Sequence, residues 1–315
     1  MTNNALYYAY SDYLKELYGE KVYKLPVNLS VGCPNRINGN KGCSFCSDKG
    51  TGFEAVACNV SVEDQLLQNR DYIEKRYNAH KFIAYFQNYT NTFLPLEEFK
   101  RYICEATKVK DIVEINISTR PDCISKPYLD FLKQIEDETG IKICIELGLQ
   151  TTNYHTLEKI NRGHGLAEFI DAVLQIHKYE FPICAHVILN LPGDDMLDSI
   201  ETAKILSALK IKMVKIHSLY IAKNTVLCEE YENGKITLCS KDEYLERLVQ
   251  FVIHLSPDIV VERLFSRIPE SDAVFSNWNT SWWKLKDEFE ELMNQYNYRQ
   301  GVKFDYLSGA ALKSL

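Results

Sequence analysis

The run VGCPNRINGNKGCSFCSDKG, from Val31 to Gly50, follows a strand-like stretch at 22–31 and gathers Cys33, Cys43 and Cys46 into one glycine-rich loop. The spacing is C-x9-C-x2-C. Three thiolates ligate a 4Fe–4S cluster and leave one iron open for chemistry, whereas four would read as electron transfer or structural zinc. Cys43 and Cys46 can grip one centre from a tight turn, and Cys33 closes it across a loop containing Gly32, Gly39 and Gly42. Glycines there let the backbone approach sulfur and donate to it. A loop after the first strand of a β/α series lies at the C-terminal mouth of a barrel, where active sites form. Spacing by itself also admits a zinc site with Asp48 as fourth ligand, or chance clustering.

Working outward, short Val- and Ile-rich runs bounded by turn residues predict strands at 22–31, 81–87, 113–119, 142–150, 183–190 and 213–221. Helices are expected between them at 62–78, 95–108, 126–138, 166–179, 194–209 and 241–254. Pro95 with Glu97 and Glu98 suits a first turn, and Asp194 or Asp195 suits an N-cap. Repeated β/α units predict an α/β protein with a parallel sheet covered by helices, and six units suit a closed or partly closed barrel. An open doubly wound sheet is the competing arrangement. A seventh apolar run at 258–265 is placed to extend the sheet. After about residue 270 the pattern turns tryptophan-rich, then helical and acidic, as a C-terminal extension would. The expected division is an N-terminal extension over 1–20, a core over 21–270 and the extension over 271–315.

The chain has 315 residues, 46% of them apolar, which is enough for a large core. No apolar run reaches the length of a membrane span and the N-terminus has no hydrophobic signal core, so a cytoplasmic protein is expected. The seven cysteines outside the loop are scattered and read as buried reduced thiols, not a disulfide framework. A net charge of −7 gives no support for non-specific nucleic-acid binding, though it leaves room for a local basic face.

Six further segments, in order, carry a family resemblance: FQNYTNT (86–92), STRPDCI (118–124), ELGLQTTNYHTLEKINRGH (146–164), HVILNLPGDD (186–195), HSLYIAKNT (217–225) and VERLFSRIP (261–269). With the cysteine loop they resemble radical S-adenosylmethionine (SAM) enzymes of the Elongator-catalytic-subunit-like branch, specifically its short YhcC/YtqA-type members, whose cysteine spacing is also long. The resemblance spans about residues 20–270 and implies a partial (β/α)6 TIM-like barrel. It implies a 4Fe–4S cluster on Cys33, Cys43 and Cys46, with SAM chelating the open iron and reduced to a 5′-deoxyadenosyl radical. Phe45 then contacts adenine, and Gln87, Thr90 and Asn91 hold the SAM amino end. Arg120 or Arg162 pairs the carboxylate as a planar fork, with Arg162 favoured by its RGHG setting. Gln150 reaches the ribose, and Pro192–Gly193 turns backbone toward the adenosine. Glu146 faces inward by strand alternation, with a buried pair to an arginine as the structural alternative.

His164, in a glycine turn, is the histidine expected to meet ligand or substrate, whereas His186 and His217 read as structural strand residues. Arg263 and Arg267, four apart, are candidates to present two guanidiniums to phosphate. The Lys75–Arg76 to Lys81 stretch and the cluster Trp282, Trp283, Lys284 and Lys286 are further candidates for RNA contact, or ordinary solvated surface. The resemblance points to transfer RNA, to the step that remodels carboxymethylaminomethyl at carbon 5 of the wobble uridine toward aminomethyl, before methylation by a partner methyltransferase. The catalysis needs a reducing electron donor, and the chain has no room for the acetyltransferase domain of full-length members. Action on a small metabolite or peptide, or a non-enzymatic metal-stabilised RNA-binding module, are the alternatives.

Overall fold

A computed structural model describes residues 5–37, 39–47 and 56–314; Asp48, the candidate fourth ligand, lies outside the described residues. The strands are β1 (Val22–Val27), β2 (Lys81–Phe86), β3 (Ile112–Thr119), β4 (Lys142–Gln150), β5 (Ile183–Ile188), β6 (Met213–His217), β7 (Ile221–Ala222), β8 (Val260–Arg263) and β9 (Ala273–Phe275). The longer helices are α1 (Tyr10–Tyr18), α2 (Val62–Tyr77), α3 (Leu96–Thr107), α4 (Lys126–Thr139), α5 (Tyr154–Lys159), α6 (Leu166–His177), α7 (Met196–Ala208), α8 (Val226–Glu232), α9 (Lys241–His254) and α10 (Trp282–Gln295).

The main sheet runs in the order β1-β2-β3-β4-β5-β6-β8, each strand added beside the one before. A doubly wound sheet would begin in the middle and reverse, so that arrangement is excluded. Parallel strands added one way across a sheet each need a crossover, and the helices between them in the chain supply it, as in a β/α barrel. The protein is therefore α/β, with the partial TIM-like order and the seventh run added as β8. Strands such as β3 and β4 are buried almost end to end, as parallel strands require.

The chain packs as two compact units. One comprises Leu14–Gly148 with Leu166–Cys184; the other comprises Leu149–Gly165 and Ala185–Leu315 with the N-terminal residues up to Tyr13. In the first unit, β1 to β4 pair in parallel register. Ser61 caps α2 by accepting from the Asp64 N–H, and Asn78 and Gly140 close α2 and α4 in left-handed conformations. In the second unit β6 pairs with β8, and β7 forms a small antiparallel ribbon with β9. Asp195, not Asp194, caps α7, in a reciprocal box with Asp198. Helix α10 packs on α9, and Gln300 ties the N-terminal residues to this unit by accepting from the Tyr8 N–H and donating to Ser256 and Ile259 carbonyls.

Three expectations change. The single strand at 213–221 is broken at Ser218–Tyr220, because the Leu219 N–H turns to the Asn190 side chain. The first strand stops at Val27 instead of running to 31, because the Asn28 backbone pairs with the Gln65 amide. The scattered cysteines are reduced but not all buried: Cys144, Cys184 and Cys228 are, whereas Cys58 is exposed.

Candidate functional site

The cysteine loop is built on two tight turns. Cys33 leads into the Pro34–Arg36 turn, where its carbonyl accepts from the Arg36 N–H at 2.8 Å, and the Cys46 N–H donates to the Cys43 carbonyl at 3.0 Å. Asn35 is buried and its amide donates to Cys43 Sγ at 3.6 Å. Arg36 reaches back across the loop to donate to the Cys46 and Ser47 carbonyls. Gly42 makes that path possible: it has φ +80°, and a Cβ there would meet Arg36 Cγ at 2.8 Å. The glycine is required by the arginine as much as by the turn. Phe45 is half-buried in this loop.

Arg120 follows β3, is buried, and forks onto both oxygens of Asp122 at 2.9 and 2.8 Å. Its Nη1 stands 3.9 Å from Cys33 Sγ. Burial lowers its pKa, but Asp122, Cys33 and Cys43 outweigh burial and leave it raised. A guanidinium fixed beside sulfur offers an N–H donor to a metal-bound sulfur there. Three thiols, two N–H donors on sulfur and the buried Ser44 hydroxyl, which has no hydrogen-bond partner among the described residues, fit a metal–sulfur group in the loop.

The strand-two segment is mostly self-supporting. The Asn91 amide donates to the Phe86, Asn88 and Ser118 carbonyls at 3.0, 3.2 and 2.8 Å, clamping the ends of β2 and β3. Thr90 is buried, Gln87 is half-buried, and Tyr89 between them has φ +51°.

Glu146 is buried in β4, and its partner is a lysine, not an arginine: Lys24 Nζ lies at 2.8 Å and Tyr85 Oη donates at 2.9 Å. Asn116, oriented with its nitrogen toward Glu114 Oε1 (2.6 Å), accepts from Lys24 at 3.1 Å. Tyr18 closes the chain by donating to Glu114 at 2.7 Å. This network lies in the same unit as the cysteine loop. Cys144, buried beside it, has its thiol pushed well up by desolvation and the neighbouring carboxylates.

In the other unit, Gln150 ends β4 at φ +77°, a conformation that costs a non-glycine residue about 1–3 kcal/mol and marks functional sites. Arg162 and His164 are buried around Gly163 at φ +74°. Pro192 is buried, and a Cβ on Gly193 would meet Thr156 Oγ1 at 3.0 Å. Asp194 is buried beside Thr151 and Thr156, and desolvation pushes its carboxyl up to about 6 against those two hydroxyls. Its Oδ1 has no hydrogen-bond partner among the described residues.

His186 and His217, read as separate structural residues, pair: Nε2 of His217 lies 3.3 Å from Nδ1 of His186, with rings 24° from parallel. His217 Nδ1 lies 3.1 Å from Ser266 Oγ. Arg263 and Arg267 are not on one helical face, because the segment is the end of β8 followed by coil.

The Radical SAM superfamily profile matches residues 27–206, and a Radical SAM C-terminal domain profile matches 211–295. The chain belongs to the radical SAM superfamily. Its cofactors are a 4Fe–4S cluster and S-adenosylmethionine. A radical SAM relative in Methanocaldococcus jannaschii, an uncharacterized protein, is 35% identical over 95% of this chain and 92% of its own length. YtqA of Bacillus subtilis, also uncharacterized, is 31% identical over 96% of this chain and 94% of its own. The chain thus sits with the YhcC/YtqA-type proteins. A tRNA uridine(34) acetyltransferase of M. jannaschii is 26% identical over 63% of this chain and 36% of that protein. Among solved structures, Elp3 of Methanocaldococcus infernus superposes with TM-score 0.67 at 18% identity, over 89% of this chain and 64% of that one. That likeness shows the shared partial-barrel fold. The C-terminal profile runs through the boundary expected at 270.

Sequence reasoning missed Arg36, Asn35, Lys24 and Asp122. Asn35 and Arg36 lie inside the cysteine run, and their side chains were legible as donors. Lys24 needed the β1–β2–β3–β4 register to be seen against Glu146.

Proposed function

We propose that this chain is a tRNA-modifying radical SAM enzyme that remodels the carbon-5 carboxymethylaminomethyl group of the wobble uridine toward aminomethyl. The observation that carries the reading is the pairing of a whole-length YhcC/YtqA-type match with a partial match to a tRNA uridine(34) acetyltransferase. The match to that acetyltransferase covers 63% of this chain and 36% of that protein, and it supports a uridine of tRNA as the substrate.

When bound, the cluster supplies the electron that cleaves SAM to a 5′-deoxyadenosyl radical. Cys33, Cys43 and Cys46 hold the cluster, Asn35 and Arg120 donate toward their sulfurs, and Arg36 keeps the loop closed over it. Phe45 covers the adenine. Gln87 and Thr90 hold the SAM amino end, whereas Asn91, with its amide nitrogen committed to three carbonyls, shapes their loop. Arg120 is engaged by Asp122, which favours Arg162 as the carboxylate fork. Gln150 binds ribose and Pro192 presents backbone to the nucleoside. Glu146 with Lys24 keeps the interior polar beneath the cofactor motifs. His164, Arg263 and Arg267 face the RNA. We assign the core to 21–270 and place the protein in the cytoplasm, where a reductant supplies electrons and a methyltransferase takes the aminomethyl product. Among the described residues no helix is long and apolar enough to cross a membrane.

The test is nucleoside analysis of tRNA from a strain lacking the gene, followed by anaerobic incubation of that tRNA with protein, SAM and dithionite. Accumulated carboxymethylaminomethyluridine that converts to aminomethyluridine is expected. Unchanged wobble nucleosides would remove the substrate, and 5′-deoxyadenosine formed without any change in tRNA would point to a metabolite or peptide instead. Cys43→Ala should abolish both cluster absorbance and SAM cleavage.

A further inference from the structure

Beyond the carboxyl ends of β6 and β8, a cavity of about 520 Å³ opens in the C-terminal unit, walled by Ser266, Arg267, Ser276, Asn279, Thr280 and Trp282 among others. The volume lies in the range of small-ligand sites. The lining mixes hydroxyls and amides with the apolar Ile268, Val274 and Phe275, and Trp282 is its exposed aromatic shelf. The Arg267 guanidinium lies 3.8 Å over the Trp282 ring.

The wall is rigid. Asn277, Trp278 and Asn279 are consecutive left-handed residues at φ 49°, 50° and 54°. Asparagine adopts this conformation readily, but tryptophan does so under strain. Three hydrogen bonds hold it: Asn277 donates to the Ser266 carbonyl (3.0 Å) and accepts from Ser218 (2.6 Å), and Trp278 Nε1 donates to the Cys239 carbonyl (2.9 Å). The site is therefore formed before anything enters it. Ser266, on the same wall, is the residue that contacts His217.

We propose that this cavity is a subsite for one unpaired nucleotide of an RNA substrate, its base stacked at Trp282 and its phosphate on Arg267. A planar arginine–indole stack offers a π-face for any base and a two-pronged donor for phosphate. The hydroxyls and amides suit a ribose and base edges, and the apolar residues between them suit the flat face of a base. Glu270, also on the wall, disfavours a second phosphate and accepts from base N–H groups. The subsite rests on the RNA reading above and deepens it: a flanking nucleotide is gripped apart from the one being modified.

The test is fluorescence anisotropy of the anaerobic, cluster-loaded protein with a fluorescein-labelled eight-nucleotide single-stranded RNA, without SAM, and with the same RNA annealed to its complement. Single-stranded RNA should bind and the duplex should bind much more weakly. Trp282→Ala should weaken binding roughly 5- to 100-fold, with Trp282→Phe recovering part of the loss. Arg267→Ala should lower the log–log salt slope by about 0.7, which a merely structural residue would not do. Circular dichroism confirms folding, and both side chains are solvent-accessible in the folded chain. Binding unaffected by either substitution, or equal binding of duplex, overturns the subsite even if wobble uridine is modified. Sensitive binding with unchanged tRNA nucleosides keeps the subsite and removes the assigned reaction step.

Discussion

Asp194 makes a quantitative test of how the nucleoside-motif end of the fold is built. Its carboxyl is buried against Thr151 and Thr156, and desolvation raises its pKa from 3.8 to about 6. A raised folded-state pKa means that the folded chain prefers the protonated acid. The stabilising contribution of this group is therefore fully present below the unfolded value and is lost as pH rises through about 6. Asp194→Asn removes the titration while keeping size and hydrogen-bonding capacity. Linkage then makes the variant gain on the parent by about 0.5 kcal/mol at pH 4, about 1.5 at pH 5 and about 3 at pH 7, beyond any pH-independent offset. Urea unfolding followed by tryptophan fluorescence, from pH 4 to 8 at matched cluster occupancy, measures the difference. A gap that stays flat across this range would refute the burial argument. A variant that loses ground as pH rises would show that Arg247, which opposes the shift, dominates instead.

Gly42→Ala should lower iron content per chain and destabilise the loop by about 1–2 kcal/mol, since the new Cβ meets Arg36 Cγ at 2.8 Å from a left-handed backbone; iron assay and absorbance of the reconstituted protein check it. Glu146→Gln should destabilise by about 3–5 kcal/mol by leaving Lys24 charged in the interior, and Lys24→Met combined with Glu146→Leu should recover most of that in urea unfolding. Asn91→Ala should cost about 2–4 kcal/mol by stranding three carbonyls, and should also weaken SAM binding measured by equilibrium dialysis.

Short Val- and Ile-rich runs and turn residues made most of the sheet readable: 142–150 is β4 to the residue, and the seventh run at 258–265 contains β8. Strand ends were less readable where a side chain captured the next backbone amide, as Gln65 does at Asn28 and Asn190 at Leu219. The cysteine loop and its ligand triplet were visible because metal chemistry constrains spacing. The supports from outside the loop were not, because Arg120 and Asp122 come from the end of another strand, brought near by topology alone. Arg263 and Arg267 are four apart in sequence, but Arg263 ends β8 and Arg267 lies in the coil beyond it, which spacing by itself does not distinguish from a helix.

The positions of backbone strain separate scaffold from site. Left-handed residues at helix exits, such as Asn78 and Gly140, are types that tolerate the conformation at little cost and close the helices. Those beyond strand ends include Tyr89 after β2, Gln150 at the end of β4 and Trp278 after β9, at φ 51°, 77° and 50°. Large non-glycine residues in that region cost about 1–3 kcal/mol each and persist where surrounding contacts force them. Around Tyr89 the force is the Asn91 clamp, and around Trp278 it is the Ser218–Asn277–Ser266 bonds. Folding alone would be served by glycine at such positions. Trp278 puts its strain into packing against Tyr244 and Phe275, whereas Tyr89 and Gln150 stand at the carboxyl ends of β2 and β4, where a barrel of this order binds what it acts on. By this argument Tyr89→Gly should stabilise the fold while weakening SAM binding.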